Sequence, residues 1–421
     1  MNRLTTLPSG ILLLTCCLST LQGEDWREFR GPTGQGLSQA TGLPLTWSET
    51  DNVRWKVPVD GLGWSSPIVS DGRIYLTTSV KNDDVYSLGT LCLNAADGET
   101  IWDREVFRQD VKNPASRVHN KNSHASPTPL CDGKHIYVHF GTHGTACLTL
   151  EGDVVWRNED LDYAPNHGNG GSPVLVDGIL AILCDGSDVQ FAVGLDAKTG
   201  SIRWKSPRKL GASKKFSFST PLVIDVDGQK QLISPGSGGV IAYDPRDGRE
   251  IWQVDYGEGY SVVPRPAYGN GLVYVCTGFN RASLLAIRPT GQGNVTDTHV
   301  AWQLDRDVPR SSSLLPHGKE LYFASDNGTA TCLDAVTGRI HWQERIRGAY
   351  SASPLFAEGR IYFPGESGET VVVKADKQFS QLAKNQVDVN GERWGLFASF
   401  AVVDSAILLR TRSHLYRIES R

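Results

Sequence analysis

The chain has 421 residues, with 42 basic against 46 acidic side chains, a net charge of −4 and no long basic run. That balance excludes the electrostatic footprint of a nucleic-acid binder or of a protein held to anionic membrane surfaces by charge. Its 44 glycines and 11 tryptophans against a single methionine speak for many tight turns between short strands rather than for long helices.

At the start, Met1-Asn2-Arg3 is positive, Ile11 to Leu18 is apolar, and Gly23 stands before acidic Glu24-Asp25. This is the layout of a secretory signal peptide over 1–23. An N-terminal extension is expected over 24–46 and the repeat domain over 47–421. The apolar run is too short to span a bilayer, and no later segment is long enough. Cys16 and Cys17 lack the usual small residues before a lipid-bearing cysteine. Export to the periplasm or cell surface is therefore expected, without a lipid anchor or a transmembrane span. Of the 8 cysteines, six remain beyond the signal. Cys92, Cys147 and Cys332 fall where sister repeats carry Gly194, Ala242 and Ala286, so cysteine fills a small buried slot. No CxxC or adjacent pair occurs after the signal, which leaves structural zinc and covalent haem without support.

Along the rest of the chain a repeat dominates. One piece is Leu195-Asp196-Ala197-Lys198-Thr199-Gly200-Ser201-Ile202-Arg203-Trp204. Close copies run from Asn94 to Trp102, Tyr243 to Trp252 and Leu333 to Trp342, and altered ones end at Trp156 and Trp302. The Asp binds local amides, the Gly accepts positive φ, and the next strand carries the Trp. A second piece is a Ser-x-Pro-like start, an apolar strand, a Gly turn and an apolar-Tyr strand. It starts at Ser65-Ser66-Pro67, Ser126-Pro127, Ser172-Pro173, Thr220-Pro221, Arg265-Pro266, Ser313-Leu314 and Ser353-Pro354, with a worn copy near Ser399. Proline suits a first strand position, where a missing amide costs little.

Four antiparallel strands per unit is the grammar of a β-propeller. Closing strands carry Trp55, Trp102, Trp156, Trp204, Trp252, Trp302 and Trp342, and a degenerate one runs through Gln381-Leu382-Ala383-Lys384. The fold class expected is all-β: an eight-bladed β-propeller of four-stranded blades, closed by the N-terminal strand that carries Trp55. A seven-blade ring is the alternative if the last motif is only a tail. These tryptophans are read as blade-docking residues. Each buries about 150–250 Å², roughly 4–6 kcal/mol as an upper estimate.

The Asp-Ala-Lys-Thr-Gly…Trp unit resembles the docking repeat of pyrroloquinoline-quinone (PQQ) dehydrogenases and of BamB-like outer-membrane assembly propellers. The resemblance runs from Trp55 to the C-terminus. Trp26-Arg27-Glu28-Phe29-Arg30-Gly31-Pro32, His167-Gly168-Asn169-Gly170-Gly171-Ser172-Pro173 and Phe216-Ser217-Phe218-Ser219-Thr220-Pro221 resemble exported PQQ-like propellers of planctomycete-type bacteria, a group without an agreed activity. For an enzyme the resemblance implies PQQ with calcium, an adjacent cysteine pair, Glu/Asn ligands and an Asp base. The chain beyond the signal has no adjacent cysteines, and its longest insertion is Asp103 to Ser123.

Loops entering the first strand and joining the second to the third are expected on one face, around a central funnel. The candidate ligand-binding residues there are His119, Asn122, His124, His143, His167, Asn169, Arg265 and Arg310. Three readings of this set stand open: a metal held by imidazoles, an anionic ligand held by histidines and arginines, or hydrogen bonding within the loops. For Arg265 and Arg310 the bland alternative is a salt bridge to Asp305 or Asp307. Nucleophile elbows, zinc-protease and phosphate-loop motifs are missing, so no catalytic residue, metal site or cofactor is expected. The expectation is a monomeric, non-catalytic scaffold binding envelope proteins or a small ligand. The alternatives are a PQQ-dependent quinoprotein oxidoreductase and a carbohydrate or polymer binder using Trp64, Phe216, Phe218, Tyr260, Tyr350 and Phe397.

Overall fold

Every predicted closing strand forms, and each is the outermost of the four antiparallel strands of its blade. The computed structural model describes residues 25–420 apart from positions 281 and 393. The expected signal peptide over 1–23, with Cys16 and Cys17, lies outside the described residues. The first blade comprises Ile68–Ser70, Arg73–Asn82, Val85–Asn94 and Thr100–Asp110. Six more follow, and the last combines Ala401–Val403, Ala406–Arg410 and His414–Glu419 with Val53–Pro58. Trp55 pairs opposite Arg417 in that sheet. The ring has eight blades, and the Val53–Pro58 strand closes it by completing the last one.

The register explains the residue types of the repeat. Cys92, Cys147, Gly194, Ala242, Ala286 and Cys332 each pair directly opposite the tryptophan of their own blade. The six described cysteines are free and buried, and three of them, Cys92, Cys147 and Cys332, fill that slot. The indole N–H then reaches the next blade: Trp55 donates to Ala95 O (3.1 Å), Trp102 to Leu150 O (2.9 Å) and Trp156 to Ala197 O (3.0 Å). Trp204, Trp302 and Trp342 do the same to Pro245, Ala335 and Asp376. For Trp55, Trp102, Trp156, Trp204 and Trp302 the ring also lies against the turn glycine of that neighbour, whereas Trp342 meets Phe379 (5.1 Å). At Gly200, φ is +74° and a Cβ would sit 2.4 Å from Trp156, so the position needs glycine for conformation and for space.

Two blades depart from the pattern. Trp252 donates instead to Gln231 Oε1 of its own blade (2.8 Å), and Gln231 passes the link on to Pro289 O (3.0 Å). The stretched turn of the next blade causes this, because Gly293–Asn294 adds as a parallel strand beside Trp252. In the seventh blade Ala383 takes the tryptophan position. Trp47 joins that cluster from the N-terminal segment, its ring 6.2 Å from Tyr362 and its amide bonded to Asn385 Oδ1 (3.0 Å).

Before the first propeller strand, the chain crosses the ring. Trp26 pairs with Val69 of the first blade, and Arg27 O accepts from Cys131 of the second. Arg30 donates to Leu314 O of the sixth blade (2.7 Å), and Leu37 runs beside Phe356 of the seventh. Trp26 and Arg30 are fully buried along this path. The segment thus straps the central channel through the inner strands of opposite blades.

Candidate functional site

The central channel opens into a funnel whose cavity is about 450 Å³. Its base is a ring built from one residue per blade at the entry to each first strand. Ser66 N–H donates to Thr128 Oγ1 (3.0 Å), Thr128 N–H to Ser172 Oγ (2.9 Å) and Ser172 N–H to Thr220 Oγ1 (2.9 Å). On the far side Arg265 N–H donates to Ser313 Oγ (3.0 Å), Ser313 to Ser353 (3.1 Å), Ser353 to Ser399 (2.9 Å) and Ser399 back to Ser66 (3.0 Å). Arg265 alone breaks the run of hydroxyls, and its Nε donates to Pro221 O instead (3.0 Å). The ring explains the Ser-x-Pro signature: the hydroxyl satisfies the amide of the preceding blade as the strand begins. It also corrects one frame. In the second blade the equivalent residue is Thr128, before Pro129, and Ser126 lies two positions earlier on the funnel wall.

Two positions before each ring residue come Trp64, Ser126, Gly170, Phe218, Val263, Ser311, Ser351 and Phe397, and all of them line the funnel. Trp64 packs edge-on to Phe397 with ring centres 4.8 Å apart. Across the cavity Phe216 contacts Phe218 (6.0 Å), Tyr260 (5.6 Å) and His167 (5.3 Å). Phe29 of the strap supplies a further aromatic ring to the lining. The funnel therefore has aromatic walls over a hydroxyl base.

Three of the candidate residues line this cavity: His119, Asn122 and His167. The connection from the first to the second blade brings His119 within 5.2 Å of His167, ring to ring. Asn122 pins that connection by donating to His167 O (2.9 Å) and Asn169 O (3.1 Å). The remaining candidates, expected on the funnel face, are placed elsewhere. His124 and His143 are buried between the first two blades, 5.4 Å apart, with His124 4.4 Å from the Tyr86 ring. Burial pushes His143 down to about 4 and neighbouring His139 to about 3. Asn169 is buried as well, accepting from Tyr163 Oη (2.8 Å). Arg265 lies beneath the funnel surface. Its guanidinium is buried against the strap, bonded to Phe29 O (2.5 Å) and 3.4 Å from the Glu28 carboxylate rather than from Asp305 or Asp307.

Arg310 borders a different groove, of about 890 Å³, with Asp305, Asp307, Asp326 and Asn327, and its guanidinium covers the Phe279 ring at 5.5 Å. Phe279 also lines the funnel, so the two cavities are neighbours. Tyr350 does not reach the funnel lining. It is buried, with its hydroxyl 3.3 Å from Glu369. The residues missed from sequence are the ring hydroxyls, Lys121 and Phe29. Their signal was the Ser/Thr at each Ser-x-Pro start, read only as strand punctuation.

The donor set bears on the calcium site of a quinoprotein. No carboxylate is among the described lining residues of the funnel. Glu366, just outside it, is held by Lys121 Nζ (3.0 Å) and Ser351 Oγ (2.6 Å). The hard-oxygen ligands that calcium needs are not gathered there.

Tryptophan-docked repeats, ring closure by the first strand and a single axial funnel define an eight-bladed propeller of the PQQ-like repeat class. The chain belongs to the family described as outer membrane protein assembly factor BamB, whose sequence profile matches residues 38–159, 85–220 and 294–389. Among its relatives, tetrathionate hydrolase of Acidithiobacillus ferrooxidans is 24% identical over 220 residues, 46% of this chain and 42% of that protein. BamB of Yersinia pestis is 25% identical over 211 residues, 46% of each chain. The chain spans less than half the length of these curated relatives. In structure, BamB of Moraxella catarrhalis superposes with a TM-score of 0.59 at 12% identity, covering 87% of this chain and 96% of that one. A quinohemoprotein alcohol dehydrogenase of Pseudomonas putida gives 0.55 at 11% identity, covering 94% and 80%. These likenesses establish the fold alone. Among the described residues no helix is long and apolar enough to cross a membrane.

Proposed function

We propose that the protein is a non-catalytic binding propeller of the cell envelope, working as a monomer. It takes a small ligand, or a segment of a partner protein, into the central funnel. The observation that carries this reading is the funnel lining itself: aromatic faces from Trp64, Phe216, Phe218, Tyr260 and Phe397 stand above a ring of hydroxyls. Aromatic walls with a few fixed polar groups are the chemistry of a binding pocket. The family adds support, since its profile is described as an assembly factor. The N-terminal segment 1–23, read as an export signal, supports the envelope location.

The competing reading is a quinoprotein oxidoreductase, which the fold accommodates but the carboxylate-free lining does not favour. Purified protein from Glu24 onward, titrated with PQQ and calcium over a panel of alcohols and sugars, separates the two. The binding reading expects no substrate-dependent dye reduction. It also expects envelope proteins or ligands retained by the intact chain to be lost with Trp64→Ala. Substrate-dependent reduction in the presence of PQQ would overturn it.

A further inference from the structure

We infer that the hydroxyl ring is an oxyanion basin, taking the carboxylate or sulfonate head of an organic anion whose apolar body lies against the aromatic walls. The inference rests on the funnel being the binding face and names the chemistry of its ligand.

Each ring hydroxyl spends its oxygen on the amide of the preceding blade. Its own hydrogen is left to donate. For Ser66, Thr128, Ser172, Thr220, Ser313, Ser353 and Ser399, no protein acceptor for that hydrogen is present among the described residues. All seven are 95% or more buried, and all seven line the cavity. A buried donor without an acceptor is costly. A convergent set of O–H donors selects a group with acceptor capacity only, and ionised carboxylates and sulfonates are such groups.

Buried charge around the ring points the same way. Arg30, Arg265 and Arg410 are all fully buried, and only Arg265 has a carboxylate partner, Glu28. Arg30 donates to Leu314 O (2.7 Å) and Pro354 O (3.4 Å), the residues directly after ring members Ser313 and Ser353. Arg410 donates to Ser65 O (3.0 Å) and Ser65 Oγ (2.5 Å), directly before Ser66. Nε of Arg30, and Nε and Nη2 of Arg410, have no partner. Burial lowers both guanidinium pKa values to about 9, which leaves them charged at neutral pH. Three guanidiniums against one carboxylate leave the buried surroundings of the ring net positive. At the mouth, Lys214 Nζ lies 4.4 Å from the Tyr260 ring, while Lys121 Nζ, 5.0 Å from the Phe397 ring, is already paired with Glu366 (3.0 Å). An incoming anion thus meets Lys214 at the rim and the guanidiniums of Arg30 and Arg410, which lack a carboxylate partner, around the ring.

Matched pairs differing only in charge test this by isothermal titration calorimetry on protein from Glu24 onward. One pair is phenylmethanesulfonate and its sulfonamide, standing for small organic acids. The other is N-acetylphenylalanine and its amide, standing for a peptide C-terminus. The anion of at least one pair should bind about tenfold or more tighter than its neutral twin, as charge-assisted hydrogen bonds would give. The pair that shows the larger ratio identifies the source. Ser313→Ala with Ser353→Ala should cost the anion about tenfold and leave the neutral twin within about twofold.

Equal binding within both pairs, or no binding of either anion, overturns the basin. The ratio in the unaltered protein decides this even if the double variant does not fold. Trp64→Ala separates the two readings. If it abolishes retention of envelope partners while the anions fail to bind, the funnel is the binding face and the basin falls alone. If it changes nothing and no probe binds, both fall.

Discussion

The Arg265 guanidinium of the fifth blade lies 3.4 Å from the Glu28 carboxylate of the N-terminal strap and also holds the Phe29 carbonyl. One side chain of the ring position thereby ties the strap across the channel. Arg265 is 2% exposed, whereas the Glu28 side chain keeps 25% of its surface. Removing the carboxylate leaves the guanidinium buried without its counter-charge. Glu28→Gln should lower stability by about 2 kcal/mol, below the cost of breaking a fully dry pair because Glu28 is partly solvated. Urea denaturation of the two proteins checks it, and an unchanged midpoint would show that the strap does not depend on the pair.

Two glycines with nearly the same backbone separate conformation from crowding. Gly178 has φ +77° with nothing within 4 Å of where a Cβ would stand, and Gly200 has φ +74° with Trp156 at 2.4 Å. Gly178→Ala should cost about 1 kcal/mol, the left-handed penalty alone. Gly200→Ala should cost about 2 kcal/mol more, because the docking indole must move. Thermal melts of both variants measure the difference. Equal losses would mean the tryptophan rings yield freely.

Gln231 relays the fourth blade to the fifth. It is 4% exposed, accepts from the Trp252 indole and donates to Pro289 O. Gln231→Leu leaves a donor and an acceptor buried together, so a loss of about 2–4 kcal/mol is expected. Hydrogen exchange should locate the added opening between those two blades.

The imidazoles of His139 and His143 are held neutral by burial, with folded values of about 3 and about 4. An unfolded histidine takes up its proton near pH 6.5. Between that value and the folded ones the unfolded chain binds more protons. Stability present above about pH 6.5 is therefore lost as pH falls, by up to about 1.4 kcal/mol per unit for each imidazole. Asp185, raised to about 6 by burial despite Arg208 3.1 Å away, takes up a proton in the fold over the same window and offsets part of this. Denaturation midpoints from pH 7 to 4.5 should fall more steeply for the native chain than for a His139→Gln, His143→Gln variant.

The blade plan was legible because its determinants are local. A turn needs Asp and Gly at fixed offsets, and the slot opposite each tryptophan must be small, so Cys92 and Gly194 could be equated before any contact was known. The funnel was legible only in part. His119, Asn122 and His167 line it, since a long insertion at the entry to a first strand emerges on that face. His124 comes from the same insertion and His143 from the Gly141–His143 turn of the second blade, and nothing in their spacing separates a rim side chain from one folded back between blades.

By itself, the sequence determined the repeat and the strand that closes the ring, because turn chemistry and strand pattern act between residues close along the chain. The structure settled the count at eight blades rather than seven. Only the tertiary structure decided what the axis contains. The hydroxyl ring joins residues from Ser66 to Ser399, each accepting from the amide of the preceding blade, and the strap reaches from Trp26 across to Phe356. Such contacts depend on how the ring closes in space. The same closure turned Arg265 from a surface ligand candidate into a buried tie, and made seven serines and threonines, unremarkable one at a time, into a single convergent set of donors.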